Sequence, residues 1–406
     1  MADFPPDAWI TTTRELKALA EDLRGAGRFA FDTEFISEET FEPILCLIQV
    51  ATPNRLAVID PLRVPDLGPM WNVLHDPAVE VVMHASGEDL RICRLQSGRV
   101  PPRIVDVQIA AGLAGFGYPL SLSNLVYQAL GISVRGGETR TDWRRRPLSP
   151  NQLRYALDDV RYLLELADLL NARLKELGRL DWAESEYRDL VRAIEVRDDE
   201  LRWRRLPGIH QLNRQGLEIA RRLAEWRRNE AKRTNRPLRQ FLRDDLLLAI
   251  AKRQPTSRHD LEALRDFRRS PVSGQVAKVL AIVAEALAVP PEALPEPTER
   301  YEEGPGLTMT VNLLSAALNH CCSRQGIAYA LVGTSSDLKD LIRWHTQGRP
   351  GDRKPALVGG WRGEVCGQVL LDVLAGRLAL RIVDPEADPP IALNPVRDQE
   401  EPTEAA

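Results

Sequence analysis

The chain is expected to fold as an α/β domain on a mixed sheet, followed by two all-helical units. Strand-like and helix-like segments alternate over roughly the first 195 residues, the pattern of an α/β domain. From Pro150 onward the apolar spacing becomes helical. A Pro-rich acidic stretch, VPPEALPEPTERYEEGPG, then separates two later helical segments.

The elements follow in chain order. Thr13 to Leu23 is an amphipathic helix behind a threonine run suited to capping its N-terminus. Arg28 to Phe35 (RFAFDTEF) reads as a strand, followed by strands at Leu45 to Ala51 and Leu56 to Ile59, the last closed by Asp60-Pro61. Val79 to Met83 is a fourth strand, running into a helix from about Glu88 to Leu95. After Pro150, Leu153, Ala156, Leu157, Val160, Leu163 and Leu164 are spaced for one helical face. Helices are expected at Gly216 to Lys232, Asp244 to Arg253 and Arg258 to Arg265. The expected units are 1–198, 211–294 and 307–385, with residues 386–406 a disordered acidic tail.

At 406 residues the chain exceeds one typical core, and 44% hydrophobic with 28% charged residues excludes wholesale disorder. No basic region precedes an apolar one at the start, and no apolar run reaches the length of a membrane span, so a cytoplasmic chain without membrane association is expected. Five cysteines without a C-x-x-C pair disfavour a disulfide framework or a cysteine zinc site. Cys321 and Cys322 read as plain helix residues. The net charge of −4 conceals a segment, Arg214 to Arg243, in which ten Arg/Lys face three Glu. Local patches of this kind set phosphate affinity.

Asp32 and Glu34 are two apart on a strand, so both carboxylates share a face. Side by side on an apolar strand they repel unless a cation lies between them, although a bare D-x-E is also common as surface charge. Asp89 opens a helix directly after a buried strand, where it can be aimed at the sheet or simply complement the helix dipole. Tyr155 and Asp159 are four apart and share a helix face, whereas Asp158 points about 100° away. Four converging carboxylates would hold two divalent ions through oxygen ligands alone, suiting Mg²⁺ or Mn²⁺. Such ion pairs, about 3.5 to 4 Å apart, serve in-line phosphoryl displacement. Tyr155 would orient the attacking water, and a phenol with a free pKa of about 10 would need the metal to acidify it.

At FDTEF, HASGEDL and YALDD the sequence resembles ribonuclease D, in the tyrosine branch of the DEDD exonuclease superfamily. TDWRRRPLSPNQLRYALDDVRYL, AVIDPL and IVDVQIAAGLAGFG strengthen the resemblance across nearly the whole first domain. It implies an RNase H-like exonuclease fold, Asp32, Glu34, Asp89 and Asp159 as metal ligands, and Tyr155 as the residue positioning the water. Residues 211 to 294 are similar to the helicase and ribonuclease D C-terminal (HRDC) domain, and DLKDLIRW with GGWRGEVCG resembles a second such unit.

The resemblance implies a 3′→5′ exoribonuclease releasing 5′-monophosphates, acting on RNA with a free 3′ end, with tRNA precursors as substrates and no obligate protein partner. A DNA exonuclease of Werner type and a non-catalytic RNA-binding scaffold are the alternatives. The candidate substrate contacts are the backbone at Thr33, stacking by Phe35, His84 lining the site, and Arg144, Arg145 and Arg146 on phosphates. Phe35 is equally suited to the core, and the arginines to pairing with nearby acids. Arg227, Arg228, Lys232 and Arg233 are expected to bind RNA. His84 with Glu88 has zinc-like spacing but no third ligand.

Overall fold

The computed structural model describes residues 9–134, 137, 141–196, 202–297, 304–348, 351 and 354–396. A six-stranded sheet carries the first region. Its strands are β1 (Trp9–Ile10), β2 (Arg28–Ile36), β3 (Ile44–Thr52), β4 (Arg55–Ile59), β5 (Glu80–Met83) and β6 (Ile104–Asp106), in the order β1-β4-β3-β2-β5-β6. β2, β3 and β4 form an antiparallel meander, while β5 and β6 run parallel to β2. The expected mixed sheet is therefore present, with the short turn between β3 and β4 too tight for anything but a hairpin.

Helices α1 (Thr13–Ala26), α2 (Gly68–Leu74), α3 (Gly87–Ser97), α4 (Val107–Ala114), α5 (Leu122–Leu130), α6 (Pro150–Arg161), α7 (Leu163–Glu176) and α8 (Leu180–Glu195) cover it. Thr12 caps α1 through a reciprocal box with Glu15, as the threonine run suggested. The apolar series after Pro150 is divided between two helices that meet at Tyr162. Ala156 and Leu157 of α6 pack against Cys46, Leu47 and Val58 of the sheet, whereas Leu163 and Leu166 of α7 join the main core. α2, α4, α5 and β6 were not anticipated as separate elements.

The middle region contains α9 (Arg214–Thr234), α10 (Leu238–Phe241), α11 (Asp244–Arg253), α12 (Arg258–Glu262) and α13 (Val276–Leu287). Leu223, Leu247, Ile250, Phe267 and Val279 give it a core of its own. It meets the first region where the amides of Phe41 and Glu42 donate to the Asn235 side chain, at 3.1 and 3.5 Å, with Lys232 3.8 Å from Glu42.

The last region holds α14 (Leu307–Gln325), α15 (Tyr329–Val332), α16 (Ser335–Thr346), α17 (Gly360–Arg362), a π-turn and α18 (Gln368–Leu374). Its Leu314, Leu318, Leu338 and Leu370 belong to the same continuous core as Leu113 and Leu170 of the first region. Gly112 permits this close approach, since a Cβ there would lie 2.9 Å from Tyr118 and 3.2 Å from Leu331. Arg179 donates to the carbonyls of Leu113 and Gln325, and Glu186 receives Arg362 at 2.6 and 2.9 Å.

Two expectations at the C-terminus need correction. The region after α18 is not purely helical, because β7 (Leu378–Ile382) pairs antiparallel with β8 (Ile391–Pro395). The expected disordered tail from 386 thus begins with a paired strand, since alternate apolar residues in IALNP find a partner in LALRI. Residues 397–406 lie outside the described residues. No described helix is long and apolar enough to cross a membrane.

Candidate active site

The parallel pairing of β2 with β5 ends at Ala30 opposite Val82, but β2 continues to Ile36 against β3. Asp32 and Glu34 therefore lie beyond the end of β5, supported on one side only. This is the crevice at the carboxyl ends of parallel strands where ligands bind in open α/β sheets. A bulge between Glu34 and Phe35 shifts the register there, which re-aims the Glu34 end of the strand. α6 crosses the same face of the sheet and brings Asp159 over it. Oxygens of Asp32, Glu34 and Asp159 lie within 4.8 Å of one another.

Asp89 approaches from α3. It is 7% exposed, and one carboxylate oxygen accepts from the Thr33 amide at 3.0 Å and the Thr33 hydroxyl at 2.5 Å. The turn leading into α3 is fastened by Asp106, which accepts from the Ala85 and Ser86 amides and the Ser86 hydroxyl at 2.8 to 3.2 Å. Ala85 sits there at φ 53°, a left-handed conformation held by those contacts. Asp106 was not singled out from the sequence. An acid interrupting the apolar run IVDVQIAA just before a helix was the available signal.

Burial, followed by the charges of Asp89, Asp159 and Glu34, raises the Asp32 carboxyl well above the usual carboxylate range. Burial with the Asp159 and Asp89 charges pushes Glu34 up to about 9. Asp89 is raised to about 7 by burial, opposed by the Thr33 hydrogen bonds. Asp159 is also raised to about 7 by burial, opposed by the hydroxyl that Tyr155 donates to it. Among the described residues, none of the four forms an ion pair. Converging, mutually repelling carboxylates with oxygen donors alone fit hard divalent cations, which would replace protons as their counter-charge.

The other expected contacts divide. Thr33 is 5% exposed and its amide and hydroxyl both serve Asp89, which corrects its expected use on a terminal nucleotide. Phe35 is half-buried against the core. His84 donates through Nε2 to the Leu120 carbonyl at 2.9 Å, and burial lowers its pKa against the opposing charge of Asp106, so one ring nitrogen is already engaged within the fold. Glu88 pairs with Arg91 and is not brought to His84 as a ligand. Asp158 pairs with Arg161 rather than joining the cluster.

Arg146 is corrected as a phosphate contact. It grips fully buried Asp60 at 2.7 and 2.8 Å and donates to three carbonyls, so its charge is already compensated inside the fold. Arg144 is held by Asp142 and Glu39, while Arg145 is 84% exposed beside Asp142. Arg227 is likewise corrected, being 6% exposed and bonded to Asp244 and the Leu242 carbonyl. Arg228 is half-buried and engaged within the protein. Lys232 and Arg233 are 68% and 69% exposed on the last turns of α9, next to the loop that follows β2.

This sheet, crossed at its carboxyl-end crevice by a helix bearing acid and phenol, has the all-oxygen acidic cluster of a divalent-metal-dependent enzyme. A 3′-5′ exonuclease family model matches residues 8–175, an HRDC domain model residues 216–283, and a ribonuclease D C-terminal HRDC domain model residues 305–370. The chain is 36% identical to ribonuclease D of Gluconacetobacter diazotrophicus over 94% of this chain and 96% of that one. It is 31% identical to ribonuclease D of Escherichia coli, over 90% and 97% respectively. The crystal structure of Escherichia coli RNase D superimposes with a TM-score of 0.80 at 29% identity, covering 91% of this chain and 98% of that chain. The chain belongs to the ribonuclease D family, and it is a 3′→5′ exoribonuclease whose substrate is RNA.

Proposed function

We propose that Asp32, Glu34, Asp89 and Asp159 hold two divalent cations, Mg²⁺ or Mn²⁺, and that Tyr155 orients the water attacking the terminal phosphodiester. When bound, the ions supply Lewis-acid stabilisation of an in-line phosphoryl displacement. Asp32 and Glu34 present their carboxylates from one strand face with Asp159 over them, and the Thr33 amide and hydroxyl fix the orientation of Asp89, whose oxygens lie outside that three-residue cluster. Tyr155 shares a face of α6 with Asp159 and is hydrogen-bonded to it, which puts its hydroxyl beside the acidic cluster where a water would attack. A phenol with an ordinary pKa of about 10 acts here by orientation more than by proton abstraction. The products are 5′-nucleoside monophosphates, released one at a time.

The observation that carries this reading is the convergence of three carboxylate oxygens within 4.8 Å, at a strand-end crevice, with no basic side chain paired to them among the described residues. Replacing Asp32 by Asn should abolish digestion of a 3′-labelled RNA while leaving its retention in a binding assay largely intact. Parent-rate digestion by that variant would sink the assignment.

Precursor tRNA is the proposed substrate, with Lys232, Arg233 and Arg145, each largely exposed beside an acidic neighbour, exchanging those surface pairs for phosphates near the entrance. Family membership and the exposed charge beside the loop after β2 support this. Digestion of a tRNA precursor with a 3′ extension should pause at the mature end, and uniform degradation through that end would exclude a maturation role. We take the activity to be cytoplasmic, in keeping with five buried free cysteines. We keep 1–198 and 211–294 as working units and extend the third, expected at 307–385, through β8 at Pro395, with the first and third sharing a continuous core.

A further inference from the structure

Gln49 is the one polar residue in the run LCLIQVA, and it lies in the middle of β3. Its Cα registers directly against Asp32 on β2 and, on the other side, against Val58 on β4. Residues directly opposite in antiparallel strands share a face, with Cβ atoms about 4.5 to 5.5 Å apart. The glutamine side chain therefore enters the same layer as Asp32, beneath α6, where Val58, Trp143 and Ala156 pack together. It is fully buried, and neither its amide nitrogen nor its carbonyl oxygen has a hydrogen-bond partner.

Such a group weakens the fold as it stands, because a leucine or methionine would fill the space without stranding two polar atoms. Its neighbour across the strand pair is a carboxylate surrounded by other carboxylates. We infer that Gln49 is a positioning residue of the exonuclease site: unpartnered in the metal-free chain, its carboxamide N–H engages the Asp32 carboxylate when a cation is held there and sets the orientation of that ligand.

The choice of a neutral donor has a physical reason that Asp60 makes visible. A guanidinium beside a buried carboxylate satisfies it completely, as Arg146 does for Asp60, and leaves no charge for a metal. An amide orients a carboxylate without neutralising it. Partners of this second kind, behind the ligand shell, typically change metal affinity by about 10- to 100-fold when removed. The opposite face of the same strand shows the same device, with the Thr33 amide and hydroxyl orienting Asp89.

The inference rests on Asp32 being one of the residues that hold the metal. The test uses the full chain with Gln49→Met and Gln49→Leu, and Asp32→Asn alongside. Mn²⁺ binding is followed by calorimetry, metal-free melting by calorimetric scan, and RNA digestion by steady-state kinetics. The expected result is a metal-free Tm equal to or above the parent's, Mn²⁺ affinity lowered about tenfold, and kcat reduced with KM for RNA unchanged. A purely structural glutamine would move the Tm and leave Mn²⁺ affinity and kcat alone, and that outcome overturns the role. Parent-like Mn²⁺ binding by Asp32→Asn would instead overturn the metal assignment itself. Should neither Gln49 variant fold, selective ¹⁵N-glutamine labelling of the unaltered chain decides. Adding Mg²⁺ should shift one slowly exchanging side-chain amide pair, and no shift among such pairs overturns the inference.

Discussion

Asp60, fully buried, and the half-buried Asp32 cluster are carboxylates of the same sheet region, yet the protein treats them in opposite ways. Asp60, at the end of β4, is fully enclosed and gripped by Arg146 in a two-pronged pair. Asp106 represents an intermediate solution, satisfied by amides and a hydroxyl. Asp32, Glu34 and Asp159 are brought together with no cation of the protein's own among the described residues. A buried charge with an internal partner is structural, whereas a set of like charges without one is a site for a cation from outside.

The largest effect that would break this comparison concerns catalysis. Asp32→Asn should lower single-turnover RNA cleavage by about a thousandfold or more, while metal-free stability holds or rises because one repulsive charge is gone. A marked loss of stability would mean that Asp32, like Asp60, is a structural acid.

Next in size is the converse substitution. Arg146→Met should destabilise the fold by about 3 to 5 kcal/mol, since it leaves Asp60 buried without a counter-charge. Denaturant unfolding measures this, and adding Asp60→Asn to the same chain should recover part of the loss. An unaffected midpoint would show that water reaches Asp60.

The third test uses pH. Folded-state pKa values of about 9 for Glu34 and about 7 for Asp89 and Asp159 lie above those of the unfolded chain. The folded metal-free protein therefore binds more protons than the unfolded one between the unfolded and folded values. Its stability should fall as pH rises from about 4 toward 7 to 9, by at most about 1.4 kcal/mol per pH unit for each such proton. Saturating Mg²⁺ should flatten that slope, because the cation replaces the protons. Parallel unfolding curves with and without Mg²⁺ across this window would contradict a metal site built from these acids.

The smallest effects concern cations. Replacing Lys232 and Arg233 by Ala should weaken RNA binding several-fold and reduce the salt slope by about 1.4, the value for two contacts to single-stranded phosphates. Arg145→Ala should do about half as much. Arg227→Ala belongs with Arg146, and its loss should appear in thermal melting.

The active-site geometry was legible where it is local. A spacing of two places Asp32 and Glu34 on one strand face, and a spacing of four places Tyr155 within reach of Asp159. The strands of the meander were legible for the same reason, as short apolar runs bounded by turn residues. Gln49 was within reach too, being a lone polar residue in an apolar strand, but its meaning depends on a register that brings it opposite Asp32. Identical-looking arginines in one run, Arg144 to Arg146, turned out to have three different surroundings.

The sequence by itself determined the chemistry on offer, because backbone periodicity converts spacing into shared faces, and because charged residues inside apolar strands signal a need for compensation. Tertiary structure alone decided which charges were already compensated. Asp60 and Arg146 are 86 residues apart, and Thr33 and Asp89 are 56 apart. It also decided that the last helical region shares the core of the first while the middle one does not. These outcomes depend on which surfaces meet, and burial and electrostatic pairing exist only once they have met.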